Sequence, residues 1–306
     1  MITHSSIDGI STVIIQNDRL EVEIAPSIGG RVIRLRHRAN GREFLWRNHR
    51  LSLEQCAPGT EYDPNFYGGM DELLPTDIAE TINGIASPDH GELWTLPLTA
   101  AVDGEVLTLR GRLPLFGLDY QRRLRLDQNQ LICDYRITNS TDTERQFLWK
   151  LHAALAVQPG DRIVCPAATA RAADPAWSRR KSTKPFSWPD SDGLDLSLVP
   201  VPDGTTEFLF LYDLTEGRMA LAAQDGARLE CRFDQRVFPC CWYFASHGAM
   251  DGAFTGVLEP CTNMPISVNE AAVGGFCSRL LPGQTLKTTV SWTVEINEHQ
   301  TQNNTL

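Results

Sequence analysis

The stretch LICDYRIT, residues 131–138, decides the fold class of this chain. Its first, third, fifth and seventh residues are apolar or aromatic, whereas Asp134, Arg136 and Thr138 between them are polar. Successive side chains of a β-strand point to opposite faces, so this period of two predicts a strand with one buried and one exposed face. The stretch LEVEI, residues 20–24, repeats the pattern with acids between its apolar residues. Both stretches predict half-buried strands.

The same pattern continues outward along the chain. Further strands are predicted at residues 12–16, 31–36, 43–46, 106–110, 122–126, 147–157, 207–212, 227–233, 241–245 and 286–296. Asn-Gly and Asp-Gly pairs, which favour tight hairpin turns, lie between several of them. No segment longer than about a dozen residues keeps helical spacing, so a parallel sheet would lack its crossover helices. The sequence therefore predicts an all-β fold, a large antiparallel β-sandwich, with one domain at residues 1–296 and a polar C-terminal tail at residues 297–306.

Two stretches break the rhythm, residues 47–92 and residues 168–195. Loops of this length are uncommon inside a compact domain and usually carry function. We expect them either to shape a binding site or to contain strands that the alternation does not show.

Composition and charge exclude several classes of partner. The 306 residues include 28 Lys and Arg against 38 Asp and Glu, a net charge of -10. Such a surface repels phosphate backbones, so nucleic acid is not expected as a partner. No apolar stretch approaches the roughly 18 residues of a membrane span, and no basic leader precedes an apolar run. We therefore expect a cytoplasmic protein that does not bind membranes, with its eight scattered cysteines reduced.

Motifs for several familiar chemistries are missing from the sequence. Nucleotide-binding, dinucleotide-binding, serine-hydrolase and zincin signatures are not present. His90-Gly91-Glu92 fits the H-x-E of zinc deaminases, but their two-cysteine motif is reduced here to Cys240-Cys241 after a proline. No metal site is expected.

Two histidines are candidate functional residues. His90 precedes a glycine, which leaves its imidazole open to a ligand, and the nearby Trp94 offers a flat face on which a sugar ring can stack. His152 falls in the middle of a predicted strand, on the face of Lys150 and Ala154 rather than on the apolar face. We expect Lys150 to lower the pKa of His152. The alternatives are an exposed turn histidine for His90 and a satisfied core histidine for His152.

Three carboxylates complete the candidate set. Glu259 follows Val257 and Leu258 in a predicted strand, where a carboxylate beside a cleft can serve as a general base. Asp71 and Glu72 lie in a glycine-flanked acidic loop. The alternatives are a strand-edge residue facing water for Glu259 and a turn with solvated charges for the loop.

Taken in order, these segments resemble the aldose 1-epimerase family of galactose-mutarotase-like proteins. The resemblance extends over residues 12–296 and rests on the order and spacing of LEVEIAP (residues 20–26), GGR (29–31), GREFLW (41–46), the loop at 69–75, His90-Gly91, Trp149 and His152 followed by PGD (159–161), LEP (258–260) and LPGQ (281–284). It implies a β-supersandwich that interconverts the α and β anomers of a free aldose, a small-molecule sugar, without a metal or organic cofactor.

The resemblance also implies catalytic roles. Glu259 would take the proton from the anomeric hydroxyl, His152 would give one to the ring oxygen, and His90 would hydrogen-bond the sugar nearby. His152 is followed by two alanines rather than by the aromatic pair of galactose mutarotases, so galactose is not specifically expected. Glu92 stands near the position where phosphosugar epimerases have an arginine, which favours an unphosphorylated, neutral sugar. Asp71, Glu72 and Trp94 would contact its hydroxyls and ring face.

Other functions on the same fold remain open at this point. A non-catalytic sugar-binding or sensing protein would tolerate loss of the Glu259 carboxylate, whereas an epimerase would not. The presence of His90, His152 and Glu259 together therefore favours the enzyme. A lyase or hydrolase is the third class, although a glycosidase would need two carboxylates flanking the bond. The sequence is compatible with a monomer or a homodimer.

Overall fold

The computed structural model of the chain describes residues 1–296, so the predicted tail at residues 297–306 lies outside the described residues. Strands account for about 51% of the chain and helices for about 6%. The strands are β1 (Ile2–Ile7), β2 (Ile10–Gln16), β3 (Leu20–Ala25), β4 (Arg31–His37), β5 (Met70–Leu73), β6 (Glu80–Ile82), β7 (Ile85–Ser87), β8 (Thr99–Asp103), β9 (Val106–Arg112), β10 (Leu118–Asp127), β11 (Gln130–Asn139), β12 (Arg145–Phe147), β13 (Lys150–Leu155), β14 (Arg162–Val164), β15 (Ala167–Ala172), β16 (Phe186–Ser187), β17 (Asp190–Ser191), β18 (Leu194–Asp195), β19 (Thr205–Leu214), β20 (Arg218–Ala222), β21 (Arg228–Arg232), β22 (Cys240–His247), β23 (Phe254–Cys261), β24 (Ser278–Leu280) and β25 (Thr285–Glu295). The helical elements are α1 (Val268–Gly274) and the 3₁₀ turns Asp63–Asn65, Leu93–Thr95, Pro175–Trp177 and Met250–Gly252.

Two large sheets contain most of these strands. One has eleven strands in the order β1-β2-β3-β4-β5-β13-β23-β22-β19-β15-β16, and the other has eight in the order β14-β20-β21-β25-β11-β10-β9-β8. Neighbouring strands within both sheets are antiparallel. The predicted large antiparallel β-sandwich is confirmed. None of the helices in residues 1–296 is long and apolar enough to cross a membrane.

The core lies between the two large sheets. The stretch that decided the fold class becomes β11, and its apolar residues Leu131 and Tyr135 are buried in the main hydrophobic cluster. Leu151 of β13 and Trp292 of β25 belong to the same cluster. A buried ion pair also crosses between the sheets, because Arg122 of β10 pairs with Glu72 of β5. One face of the eleven-stranded sheet therefore faces the second sheet, and the other face is free to carry a site.

The two irregular stretches contain short strands that the alternation did not reveal. Strands β5 to β7 lie in residues 47–92, and β15 to β18 lie in or overlap residues 168–195. β5 escapes the pattern because all four of its residues, MDEL, are buried, with the acids paired inside. The strand predicted at residues 147–157 is divided into β12 and β13, and residues 43–46 form only isolated bridges. α1 was not predicted; Ser267 caps its start and Gly275 ends it in the left-handed conformation.

Candidate active site

A row of polar side chains crosses the middle of the eleven-stranded sheet. His152 of β13 lies opposite Asp71 of β5, and Trp242 of β22 lies opposite Glu259 of β23. The pairing of Ala153 with Leu258 places His152 next to Glu259 across β13 and β23. Residues directly opposite in an antiparallel pair share a face. Because Glu72, the neighbour of Asp71, reaches toward the second sheet, this row lies on the face turned away from the sandwich core.

A cavity of about 260 Å³ opens over the row. Its floor is formed by strands β13, β19, β22 and β23, and its walls by turns and loops between strands. The residues that line it are Tyr62, Asp63, Phe66, Asp77, His90, Lys150, His152, Asp174, Trp177, Phe208, Phe244, Met250, Glu259 and Ile266. The structure thus brings His90, His152 and Glu259 together in one cavity although they are far apart in sequence.

Glu259 shares a buried cation with a second carboxylate. Its Oε2 lies 2.6 Å from Lys150 Nζ, and Asp77 Oδ1 lies 2.5 Å from the same nitrogen. Lys150 Nζ also lies over the Trp242 ring, 4.4 Å from its centre. Burial raises the pKa of Glu259, and the charge of Lys150 opposes this rise. Burial alone would lower the pKa of Lys150, but Asp77 and Glu259 raise it above its ordinary value, so its side chain stays an ammonium.

His152 is held by a tyrosine. Its Nδ1 lies 3.2 Å from the Tyr62 hydroxyl, which donates to Asp71 Oδ2 at 2.8 Å. The other oxygen of Asp71 accepts from Arg31 Nε. Burial lowers the pKa of His152 well below its ordinary value, and the charge of Lys150, expected from the sequence to act this way, is the next cause. His152 is therefore a neutral imidazole near pH 7.

His90 forms part of the cavity wall. Its ring stacks on Tyr62 with 4.2 Å between centroids and 11° between planes, and its Nδ1 lies 2.9 Å from Asp89 Oδ1. The backbone turns sharply here, with φ values of 55° at His90 and 73° at Gly91. A Cβ on Gly91 would come within 2.4 Å of the Leu74 carbonyl oxygen, so only glycine fits after this histidine. The turn aims the imidazole at the cavity.

The remaining predicted residues do not line this cavity. Asp71 lies behind Tyr62 in its pair with Arg31. Glu72 accepts hydrogen bonds from Tyr120 at 2.8 Å and Trp149 at 3.1 Å and pairs with Arg122 between the sheets. Trp94 is only 2% exposed and packs edge-on against Tyr62, 5.1 Å between ring centroids.

Sequence reasoning missed several residues of the cavity. Tyr62, Asp77 and Trp177 fall in the two irregular stretches, where no alternation assigns a side chain to a face. Trp177, which is 44% exposed, lines the cavity, whereas Trp94, the tryptophan expected there, does not. A functional reading of the long loops was the one signal that pointed toward them. Within residues 1–296, no group of three or more His, Cys, Asp or Glu side chains is arranged to hold a metal ion.

Comparisons with known proteins find similarity in structure alone. No protein-family model matches the chain, and no curated protein matches its sequence. The protein Slr1438 from Synechocystis sp. PCC 6803 superposes with a TM-score of 0.73 at 16% identity, over 96% of this chain and 98% of that one. A candidate aldose 1-epimerase from Escherichia coli K12 gives 0.71 at 16% identity, over 97% and 100% of the two chains. A galactose mutarotase-like protein from Clostridium acetobutylicum gives 0.72 at 14% identity, over 97% and 99%. The chain therefore has the fold of solved structures that are named aldose 1-epimerase or galactose mutarotase-like.

Proposed function

We propose that the protein is an aldose 1-epimerase that interconverts the α and β anomers of a free, unphosphorylated sugar. One observation carries the proposal: Glu259 and His152 lie side by side on the floor of a cavity large enough for a small ligand. Opening a hemiacetal ring needs one group that removes a proton and a second that supplies one. A neighbouring carboxylate and imidazole meet this need.

The proposed reaction balances without any further reactant. Glu259 removes the proton from the hydroxyl at C1 while the protonated form of His152 gives one to the ring oxygen, and the ring opens to the aldehyde. The lowered pKa of His152 makes this form a minor one near pH 7 but a strong acid. Rotation about the C1–C2 bond then exposes the other face of the aldehyde. Ring closure returns the proton from Glu259 to O1 and the ring hydroxyl proton to His152. His90 is positioned to hydrogen-bond the sugar during these steps.

The charges around the cavity support an unphosphorylated substrate. Four carboxylates line it, on Asp63, Asp77, Asp174 and Glu259, against the single ammonium of Lys150, which already serves two of them. No arginine is among the residues that line it. A phosphate would be repelled and would find no bidentate partner. Hydroxyl groups can instead donate to the carboxylates, and the aromatic residues of the wall can pack on the ring face.

The test is the rate of anomer exchange, measured by NMR for neutral hexoses, pentoses and deoxyhexoses. Wild-type protein should accelerate exchange of at least one of them. Glu259→Gln keeps the shape of the side chain but removes the proton acceptor, so turnover should fall by about 10² to 10⁴ with little change in sugar binding.

Glu105→Gln is the matched control, because Glu105 is an exposed residue in the turn between β8 and β9. It should exchange sugars like the wild type. If folded wild-type protein binds a sugar without accelerating exchange, the non-catalytic sugar-binding function replaces this proposal. If Glu259→Gln is fully active, Glu259 is not the base.

A further inference from the structure

We propose that Arg31, Asp71 and Tyr62 form a relay that fixes the tautomer of His152, with the hydrogen on Nδ1 and with Nε2 as the atom that exchanges protons with the sugar. The inference rests on the proposed function for its catalytic meaning, and its structural part can be tested separately. Tyr62 and Asp71 are positioning residues in this scheme, since they act through His152.

The first step is the Arg31–Asp71 pair. Both side chains are 2% exposed, and the guanidinium holds Oδ1 of the carboxylate. An ionised carboxylate only accepts hydrogen bonds, so the bond between Asp71 Oδ2 and the Tyr62 hydroxyl at 2.8 Å must use the hydrogen of the tyrosine. Burial and the charge of Asp71 raise the pKa of Tyr62 well above its ordinary value, which keeps that hydrogen in place.

The second step is the contact between Tyr62 and His152. The tyrosine has one hydrogen, and Asp71 takes it. Its oxygen can therefore only accept from His152 Nδ1, which lies 3.2 Å away. A neutral imidazole has one N–H, so the hydrogen on Nδ1 leaves Nε2 with a free lone pair. Among residues 1–296, no side chain or backbone group forms a hydrogen bond with Nε2.

The fixed tautomer of His152 determines which ring nitrogen exchanges protons with the sugar. His152 is buried on the cavity floor, and its ring is bracketed edge-on by Tyr62 and Phe66 at centroid distances of 5.6 and 5.4 Å. With Nδ1 occupied, one atom both takes up a proton and releases it, and the ring need not turn over between ring opening and closure. Removing the Tyr62 oxygen would let the hydrogen move to Nε2, and the neutral ring would then present a donor where closure requires an acceptor.

The experiment records the nitrogen–proton correlation spectrum of ¹⁵N-histidine-labelled protein above the pKa of His152. The His152 signals are identified by their loss in His152→Ala. In the wild type we expect Nδ1 to have the shift of a protonated nitrogen and Nε2 that of a bare one. Tyr62→Phe keeps the ring that stacks on His90 and should shift His152 toward the other tautomer or toward a mixture.

Tyr243→Phe is the matched control. Tyr243 is fully buried in β22 and its hydroxyl has no hydrogen-bond partner in the described part of the chain. Its removal should leave the His152 signals unchanged. In the exchange assay, Tyr62→Phe should lower kcat by about 10- to 100-fold, move the alkaline limb of the pH profile and change KM by less than about twofold, because the tautomer of a proton-transferring histidine matters in the reacting complex.

A wild-type spectrum with the hydrogen on Nε2 would overturn the relay, and this result does not depend on whether any variant folds. An unchanged tautomer in folded Tyr62→Phe would also overturn it. If the wild type shows the expected tautomer but accelerates exchange of no sugar, the relay stands and the proposed epimerase activity fails.

Discussion

Replacing Lys150 by methionine tests whether the buried charge cluster is arranged as the structure shows. The ammonium is the shared partner of two carboxylates, and the side chains of Lys150, Asp77 and Glu259 are 4%, 8% and 1% exposed. Removing one member of a buried ion pair costs about 3 to 5 kcal/mol, because the charge left behind is neither hydrated nor paired. We therefore expect Lys150→Met to lose about 3 to 5 kcal/mol of unfolding free energy at pH 7, out of a typical total of about 5 to 15.

The loss should depend on pH and on the partner. Without the ammonium, the pKa of Glu259, which burial already raises, should rise further. A carboxyl group whose pKa is higher in the folded than in the unfolded chain lowers the unfolding free energy as the pH increases from its unfolded to its folded pKa. Lowering the pH should therefore reduce the difference in unfolding free energy between Lys150→Met and the wild type. Lys150→Met/Glu259→Gln should be more stable than Lys150→Met alone at pH 7, since it buries one unpaired carboxylate, that of Asp77, instead of two.

The assay is urea denaturation followed by tryptophan fluorescence, at pH 7 and at pH 5, with Lys287→Met as the control. Lys287 is exposed on β25, and its replacement should change the unfolding free energy by less than about 0.5 kcal/mol. An unfolding free energy of Lys150→Met within about 1 kcal/mol of the wild-type value would refute this charge arrangement. So would a change in the double variant that equals the sum of the changes caused by Lys150→Met and by Glu259→Gln alone.

Three further outcomes follow from the buried histidines and the site. The rate of anomer exchange plotted against pH should be bell-shaped with its maximum below pH 7, because burial raises the pKa of Glu259 and lowers that of His152. An optimum above pH 7 would contradict the roles of Glu259 as base and His152 as acid. His152→Ala should slow exchange by about 10² or more while keeping a cooperative urea transition, whereas aggregated protein would favour a purely structural histidine. His247, whose pKa burial lowers from 6.5 to about 4, should make the wild type less stable as the pH falls from about 6.5 to about 4, because the unfolded chain binds the proton more readily. That loss is about 3 kcal/mol at 1.36 kcal/mol per unit, and His247→Asn, which can still meet Thr205, should show a flatter curve of unfolding free energy against pH.

The sequence predicted strands best where one face of the strand is buried and the other is exposed to solvent. β11 follows the period of two across its length because its inner residues face the eleven-stranded sheet, whereas its outer residues are only partly buried or exposed. β5 shows the opposite case. Asp71 and Glu72 are both buried there, each paired with an arginine from a distant part of the chain. The sequence indicated a glycine-flanked acidic loop, with these residues as sugar contacts or as solvated charges, and only the positions of Arg31 and Arg122 in space explain why a strand can contain them.

The residues of the candidate site were likewise easier to predict where they lie on strands than where they lie on turns or irregular segments. His152 lies on a strand whose alternation also predicted which face carried its side chain. Glu259 lies on β23, where every residue from Thr255 to Cys261 is buried, so its strand was predicted but its face was left open. Tyr62 and Trp177 stand in or beside 3₁₀ turns, whose direction depends on what they pack against. The role of Lys150 as a shared cation was not visible either, since Asp77 reaches it from an irregular segment with no periodic signal.

The cavity has a consequence for how its selectivity could change. Lys150, His152 and Glu259 stand on the central strands of a wide sheet, where backbone hydrogen bonds on both sides hold each position. Trp177 and Met250, by contrast, belong to short turns at the rim. Turns accept substitutions and insertions that central strands do not. A library confined to the two rim turns, Pro175–Trp177 and Met250–Gly252, should therefore alter which ligands enter the cavity while the arrangement of Lys150, His152 and Glu259 beneath them stays the same.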